Sequence, residues 1–277
     1  MRIVANYLGR LTLAALLAAG VARLAPAAAQ DGTAKPAGPP KIEPKAVAIL
    51  HAACDTLASA RSLSFTAVDT YQRAARNGQP LFYTVLSEVT LQRPGKLRVI
   101  KLGDGVPDEF YYNGKTMMAY VPSANLVAIA EAPPTIDGML DAAWDAGAIY
   151  FPFSDVIVAH PCEVFDKNLT SAFYVGQSVV VGRTTTDIVA IEGDGLQAEL
   201  WIGATDHLPR MVRVTYPNEP AHALYQTDYS DWKLNMPVDA TAFSSSRAQA
   251  ATRMAFAPPP AESPRPAAGQ PPPTKRP

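Results

Sequence analysis

The chain has 277 residues, 48% of them hydrophobic, and its 24 basic and 25 acidic side chains leave a formal net charge of −1. That balance gives no electrostatic footing for nucleic acid or for an anionic membrane surface, and neither is expected as a partner. The 4 histidines (His51, His160, His207 and His222) lack metal-ligand spacing and the 2 cysteines form no Cys-x-x-Cys, so no metal, cofactor or redox site is expected.

The beginning of the chain reads as a targeting segment. Arg2 and Arg10 flank a charged start, 11–21 is an apolar run too short to cross a bilayer comfortably, and Ala27, Ala28 and Ala29 are small residues of the kind a signal peptidase reads. Residues 1–29 are expected to be a signal peptide cleaved after Ala29, with a retained anchor as the alternative. The mature chain, without a further span, is then expected in the periplasm. Residue 30 is glutamine, so no cysteine stands at that new N-terminus for lipid attachment. An oxidising compartment would permit Cys54 and Cys162 to pair. Two separate buried thiols fit the sequence too, because free cysteine packs as a small hydrophobe.

Residues 30–44, with Pro36, Pro39, Pro40 and Pro44 among Ala and Gly, read as a flexible linker. A helix is predicted over 45–61 from the stripe Val47, Leu50, Cys54 and Leu57, and its apolar face is expected to lie on the strands that follow it. From Ser62 the period changes to two. Strands are predicted at 62–70, 79–92, 96–102, 110–112, 115–121 and 126–131. Asn77-Gly78 and Pro94-Gly95 supply turns, and Asn113-Gly114 predicts a type I′ hairpin turn. Pro133-Pro134 ends the ladder, since neither proline donates a backbone hydrogen bond. Thr135 then caps a helix carrying Ile136, Met139, Leu140, Ala143 and Trp144, with Gly147 as its stop. Residues 149–158 are unusually apolar for a connection, and 161–167 predicts a further helical turn or two. Five more strands follow at 170–181, 184–192, 196–202, 210–216 and 222–234, and 238–243 closes the core. One domain is expected over 45–245. Residues 246–277 are expected to form a disordered Pro-rich tail, plainest from Ala257 onward, where there is little apolar surface to bury.

Several short runs carry a family resemblance. They are Phe110-Tyr111-Tyr112-Asn113-Gly114-Lys115-Thr116, then Pro133-Pro134-Thr135-Ile136-Asp137, Ala198-Glu199-Leu200-Trp201-Ile202, Leu208-Pro209-Arg210, and the stretch 229–235. In this order, spanning about 45–243, they resemble a bacterial family of predicted periplasmic proteins of unknown function (DUF2092). That family is similar in turn to the lipoprotein carrier LolA. The resemblance implies an α+β, LolA-like fold: a curved antiparallel sheet, an incomplete β-barrel of about eleven strands, with helices covering its concave face. It also implies a concave side able to hold acyl chains. Two features do not carry over. The family's Cys-His-type pattern is absent near Thr186-Asp187-Ile188. The buried arginine that latches the lid of LolA has no assignable counterpart among Arg73, Arg98 and Arg213.

The sequence has no HExxH, no GxSxG elbow, no phosphate-cradling loop and no GxGxxG. Asp137, Asp141 and Asp145 recur four apart and share a helix face, best read as solvated because burying three like charges is expensive. No enzyme is expected. What stands out is apolar surface in excess. It either fills the core or leaves a cavity between sheet and helices, lined by Leu50, Leu57, Phe65, Phe82, Tyr112, Met117, Leu140, Trp144, Phe153 and Trp201. The expected function is an exported, non-catalytic carrier or sensor of a hydrophobic ligand, such as a lipid or a lipoprotein acyl chain. The alternative is an envelope module that binds a protein partner and no lipid.

Overall fold

The computed structural model describes residues 42–218 and 224–258. The expected signal peptide, most of the linker and the end of the Pro-rich tail lie outside the described residues. The elements run α1 (Pro44–Ser59), β1 (Ser62–Ala74), β2 (Pro80–Gln92), β3 (Lys96–Gly103), β4 (Asp108–Tyr112), β5 (Thr116–Val121) and β6 (Leu126–Glu131). Next come α2 (Ile136–Gly147), α3 (Ser154–Ile157), α4 (Glu163–Asn168), β7 (Leu169–Ser178), β8 (Thr186–Gly193), β9 (Leu196–Gly203), β10 (Pro209–Thr215) and β11 (Leu224–Leu234). Two short elements, α5 (Ser246–Ala250) and β12 (Thr252–Met254), follow.

All these strands belong to one sheet of order β12-β6-β5-β4-β3-β2-β1-β11-β10-β9-β8-β7. Two antiparallel meanders, β1–β6 and β7–β11, meet where β1 pairs with β11. The sheet ends on β12 and β7, which do not pair, so it is unclosed, and only β12 on β6 runs parallel. The fold is α+β, with few helices on a large, mostly antiparallel sheet. The β1–β2 register runs unbroken from Ser62↔Gln92 to Ala74↔Pro80. Strand alternation therefore turns Leu63, Phe65 and Ala67 to the same face as Val89 and Leu91, and these residues make one core with α2.

Helix α2 is held at its start. Thr135 Oγ1 accepts from Gly138 N at 3.1 Å, and Ile136 N donates to Pro94 O at 2.8 Å. The β2–β3 turn lies so close that a Cβ on Gly95 would stand 2.0 Å from Pro134 O, so only glycine fits there. The tyrosine hydroxyl of Tyr112 donates to Pro133 O and completes the clamp.

Three expectations are corrected, and the helix stop expected at Gly147 is found there, with the left-handed cap one residue on. Helix α1 lies mainly on the second meander, and only its end, at Leu57, joins the core of the strands that follow it. Its Ala46, Leu50 and Ala53 pack on Val189, Ile191 and Leu200 of the second meander, because Glu43 N bonds Ala172 O at 2.8 Å and docks the helix start on β7. The Asn113-Gly114 pair forms no type I′ turn, which would need positive φ at both residues. Only Gly114 has it, at 96°, while Asn113 Oδ1 accepts from the Lys115 and Thr116 amides at 3.0 Å and widens the loop. The left-handed residue ending α2 is Ala148 (φ 52°), one past Gly147, whose missing Cβ instead admits the Phe256 ring. That ring also moves the tail boundary. Residues 246–254 are ordered as α5 and β12, Ala248 and Ala251 pack against Tyr111 and Tyr120, and Phe256 joins the main core.

Cys54 and Cys162 are joined, with their Cα atoms 5.7 Å apart and a sequence separation of 108. Of the two alternatives, the bridge is the one realised. It fastens the middle of α1 to the residue before α4, beside a 2.7 Å contact of His51 Nε2 with Asp166 Oδ1. Closing so long a loop constrains the unfolded chain, by roughly 4.7 kcal/mol at most in the chain-entropy model. Replacing both cysteines by alanine is expected to lower the unfolding free energy by about 2–4 kcal/mol in urea titrations. A loss within error of zero would show that the bridge contributes no stability.

Candidate ligand-binding site

Beyond the contacts of Ala46, Leu50 and Ala53, α1 and the sheet leave a space between them. A cavity of about 340 Å³ lies between α1, the 150–165 connection and the strands β8–β11 with β1. Leu50 and Leu57 form its roof, and Ile191, Ala198, Leu200 and Val212 its floor. Period-two alternation places these floor residues on one face: Leu200 stands opposite Val189 and Val212, and Ala198 opposite Ile191 and Val214. Cys54, Pro161 and Phe165 line the wall, so the disulfide is part of the cavity itself.

One end of the cavity is polar. Asp69, on the covered face of β1, is only 4% exposed. Thr227 Oγ1 donates to its Oδ1 at 2.7 Å, while its Oδ2 has no hydrogen-bond partner in the protein. Burial pushes this carboxyl up to about 6, against the opposing pull of the Thr227 hydroxyl and of Lys101. Tyr150 and Tyr229 sit at the same end, and burial raises both phenols well above their ordinary range. Across Asp69, Tyr71, Tyr150 and Pro152 lies a second hollow of about 280 Å³, which also borders Ser87, Lys101 and Asp108.

The expected site residues separate into three groups. Leu50 and Leu57 line the cavity. Phe65, Tyr112, Met117, Leu140 and Phe153 do not; they are buried in the core under α2, where space is filled by edge-to-face pairs such as Phe65–Phe153 at 5.6 Å and Phe110–Phe151 at 5.1 Å. The space under the central helix α2 is therefore packed, and the hollow lies under α1 instead. Trp144 is half-buried on α2 and does not line the cavity. Phe82 is 55% exposed, and Trp201 stands on the opposite sheet face with the Arg213 guanidinium 5.5 Å from its ring centroid. Asp69 and the β8–β10 floor were missed. Their signal was present as alternating apolar residues in strands that only one helix is free to cover.

Arg93 was missed as well. It precedes the Pro94-Gly95 turn and donates to Ile157 O at 2.9 Å and to Leu57 O at 3.3 Å, joining the end of α1 to α3. Burial lowers its guanidinium from the usual value, and Asp137 opposes that shift. Asp137 is not simply solvated: its two carboxylate oxygens accept from Ala159 N at 3.0 and 3.3 Å, whereas Asp141 and Asp145 are exposed. Among the described residues, no three His, Cys, Asp or Glu side chains group to hold a metal ion, and no helix is long and apolar enough to cross a membrane.

Two measurements test this geometry. The fold-raised carboxyl of Asp69 contributes stability that is complete below its ordinary 3.8 and lost as pH rises through about 6. Relative to wild type, Asp69→Asn should therefore gain up to about 3 kcal/mol between pH 3.5 and pH 7.5 in denaturant titrations. A pH-independent difference would mean an ordinary carboxyl. Arg93→Met strands the Ile157 and Leu57 carbonyls and should cost about 2–4 kcal/mol in the same assay; a loss under about 0.5 kcal/mol would leave the tether without energetic weight.

Comparison with known proteins finds no curated protein similar in sequence. Among solved structures, MucB is 15% identical, with a TM-score of 0.43 over 74% of this chain and 64% of MucB. The MucA/MucB complex of Pseudomonas aeruginosa gives 15% identity and a TM-score of 0.42 over 73% of this chain and 62% of the other. A LolA superfamily protein from Nitrosomonas europaea gives 12% and 0.32 over 72% of this chain and 97% of the other. The chain thus spans less than two thirds of the MucB chains it matches. The model of the family described as predicted periplasmic protein (DUF2092) matches residues 46–257, and the chain belongs to that family.

Proposed function

We propose that this protein is an exported, non-catalytic binding protein that takes a single apolar chain, from a lipid or a lipoprotein, into the hollow under α1. The observation that carries the reading is the 340 Å³ cavity with an aliphatic roof and floor. Its size falls at the small end of ligand pockets, about 300–1,000 Å³, which suits one chain rather than several. Burying such a chain needs no bond making, since removing apolar surface from water stabilises the complex by roughly 25 cal/mol per Å². The 150–165 connection, carried on short helices, is the part able to shift and admit the chain. Export follows from the leader read over 1–29 and agrees with the family's description as periplasmic.

A second reading rests on the edge of the sheet. Strand β7 pairs on one side with β8, while its other side carries the Ile42–Ala172 bridge and two bonds to Glu43, whose N donates to Ala172 O and whose Oε2 accepts from Tyr174 N at 2.9 Å. Phe173 and Val175 on β7 are exposed. An edge of this kind can accept a strand from a protein partner.

Native mass spectrometry of gently purified protein, with organic extraction, separates the two. An acyl ligand in the extract supports the carrier; ligand-free protein that retains a stoichiometric protein partner supports the edge reading. The fluorophore N-phenyl-1-naphthylamine provides a direct readout of the hollow. Ala198→Trp, which fills the floor, should weaken its binding about tenfold or more while the protein remains folded. Unchanged binding in that variant, or none in wild type, would overturn the carrier reading.

A further inference from the structure

The carrier reading leaves Asp69 unexplained. A buried carboxylate with a single hydrogen bond is costly, and unsatisfied buried polar atoms are uncommon in folded proteins. Asp69 Oδ2 is such an atom, and Ser87 Oγ is another. The pairing register brings the two together: Asp69 stands opposite Val85 and Ala67 opposite Ser87, so Asp69 and Ser87 are diagonal neighbours on the covered face. Asp69 borders both hollows, and Ser87 borders the second. The aliphatic floor of Ile191, Leu200 and Val212 begins on the other side of Asp69. An unpartnered acceptor and an unpartnered hydroxyl thus lie at the junction of an apolar hollow and a more polar one.

We infer that the ligand is an amphiphile whose head donates a hydrogen bond, through a hydroxyl or an ammonium group, to Asp69 Oδ2 at this junction, with its chain along the floor under α1. The inference rests on the carrier reading and narrows it. A hydroxyl head donates to Asp69 and accepts from Ser87 Oγ; an ammonium head donates to both. A carboxylate or phosphate head brings a second negative charge beside a buried carboxylate and is repelled. Neither cation that borders the hollows reverses this: Lys101 Nζ already pairs with Asp108 Oδ2 at 3.1 Å, and the exposed Arg73 stands four residues along β1 from Asp69, with its guanidinium 5.4 Å from the Tyr71 ring centroid. Asp69 is on this view a recognition residue that selects the head, while the aliphatic floor holds the chain.

The test displaces N-phenyl-1-naphthylamine from the full-length mature protein at pH 7.5 with three twelve-carbon competitors below their micellar concentrations: monolauroylglycerol, dodecylammonium and laurate. Wild type should bind one or both donor heads about tenfold or more tighter than laurate, the scale of one hydrogen bond to a charged group. Whichever competes better identifies the head as hydroxyl or ammonium. Asp69→Asn, whose carboxamide can donate to an anion, should lose that preference, each competitor being referred to the variant's own fluorophore affinity; Ser87→Ala should reduce it partly. Equal affinity for the three competitors in wild type, or a preference that survives in Asp69→Asn, overturns the inference and leaves the cavity reading standing. Failure of the fluorophore to bind wild type at all overturns both. The wild-type comparison decides the matter even if a variant does not fold.

Discussion

One helix, tethered at three points, determines the character of this molecule. Helix α1 is fixed at its start by the Glu43–Ala172 backbone bond, in its middle by the Cys54–Cys162 bridge, and at its end by the Arg93 guanidinium on Leu57 O. Each tether joins it to a different part of the chain. Between this helix, from Leu50 to Leu57, and the β8–β10 floor a hollow remains beside the contacts it makes there. Protein interiors are otherwise close-packed, so a hollow of this size has to be maintained by something other than the side chains that line it. A covalent bond and backbone docking can do that.

The contrast with the other half of the sheet supports this. Over β1–β5 the covering helix α2 is docked by the 93–95 turn, and the gap left beside it is filled by Phe151 and Phe153 from the following connection. Both halves have aliphatic and aromatic faces of similar kind. They differ in what is available to cover them: α2 brings a connection rich in aromatic rings, whereas α1 is followed directly by β1. The same 150–165 segment serves both halves, closing the α2 core with Phe151 and Phe153 and forming one wall of the cavity with Tyr150, Pro152 and Phe165.

The polar end gives the cavity direction. Without Asp69 and its neighbours the hollow would be a greasy slot indifferent to orientation. With them, one end of the hollow presents a buried acceptor, Asp69 Oδ2, and the rest is largely apolar. Asp69, whose carboxyl is raised by burial, is one of four residues that border both hollows, with Tyr71, Tyr150 and Pro152.

The sequence by itself determined the local elements. Period-two alternation marked nearly every strand, Pro133-Pro134 marked the change to helix, and Thr135 marked the cap, because each depends on interactions within a few residues. It also brought Cys54 and Cys162 into question without deciding their pairing, which depends on where two distant segments come to lie. Leu50 and Leu57 were legible as cavity residues from the stripe they share. Phe65, Tyr112 and Phe153 were not separable from them, since a filled core and a lined hollow use the same side chains. Only the tertiary structure decided that α1 crosses to the second meander, that Phe256 returns to the core, and that Asp69, Ser87 and Tyr150 share one end of a cavity. Those outcomes rest on the pairing of β1 with β11 and on the docking of a helix to a strand more than a hundred residues away, and no local pattern encodes such contacts.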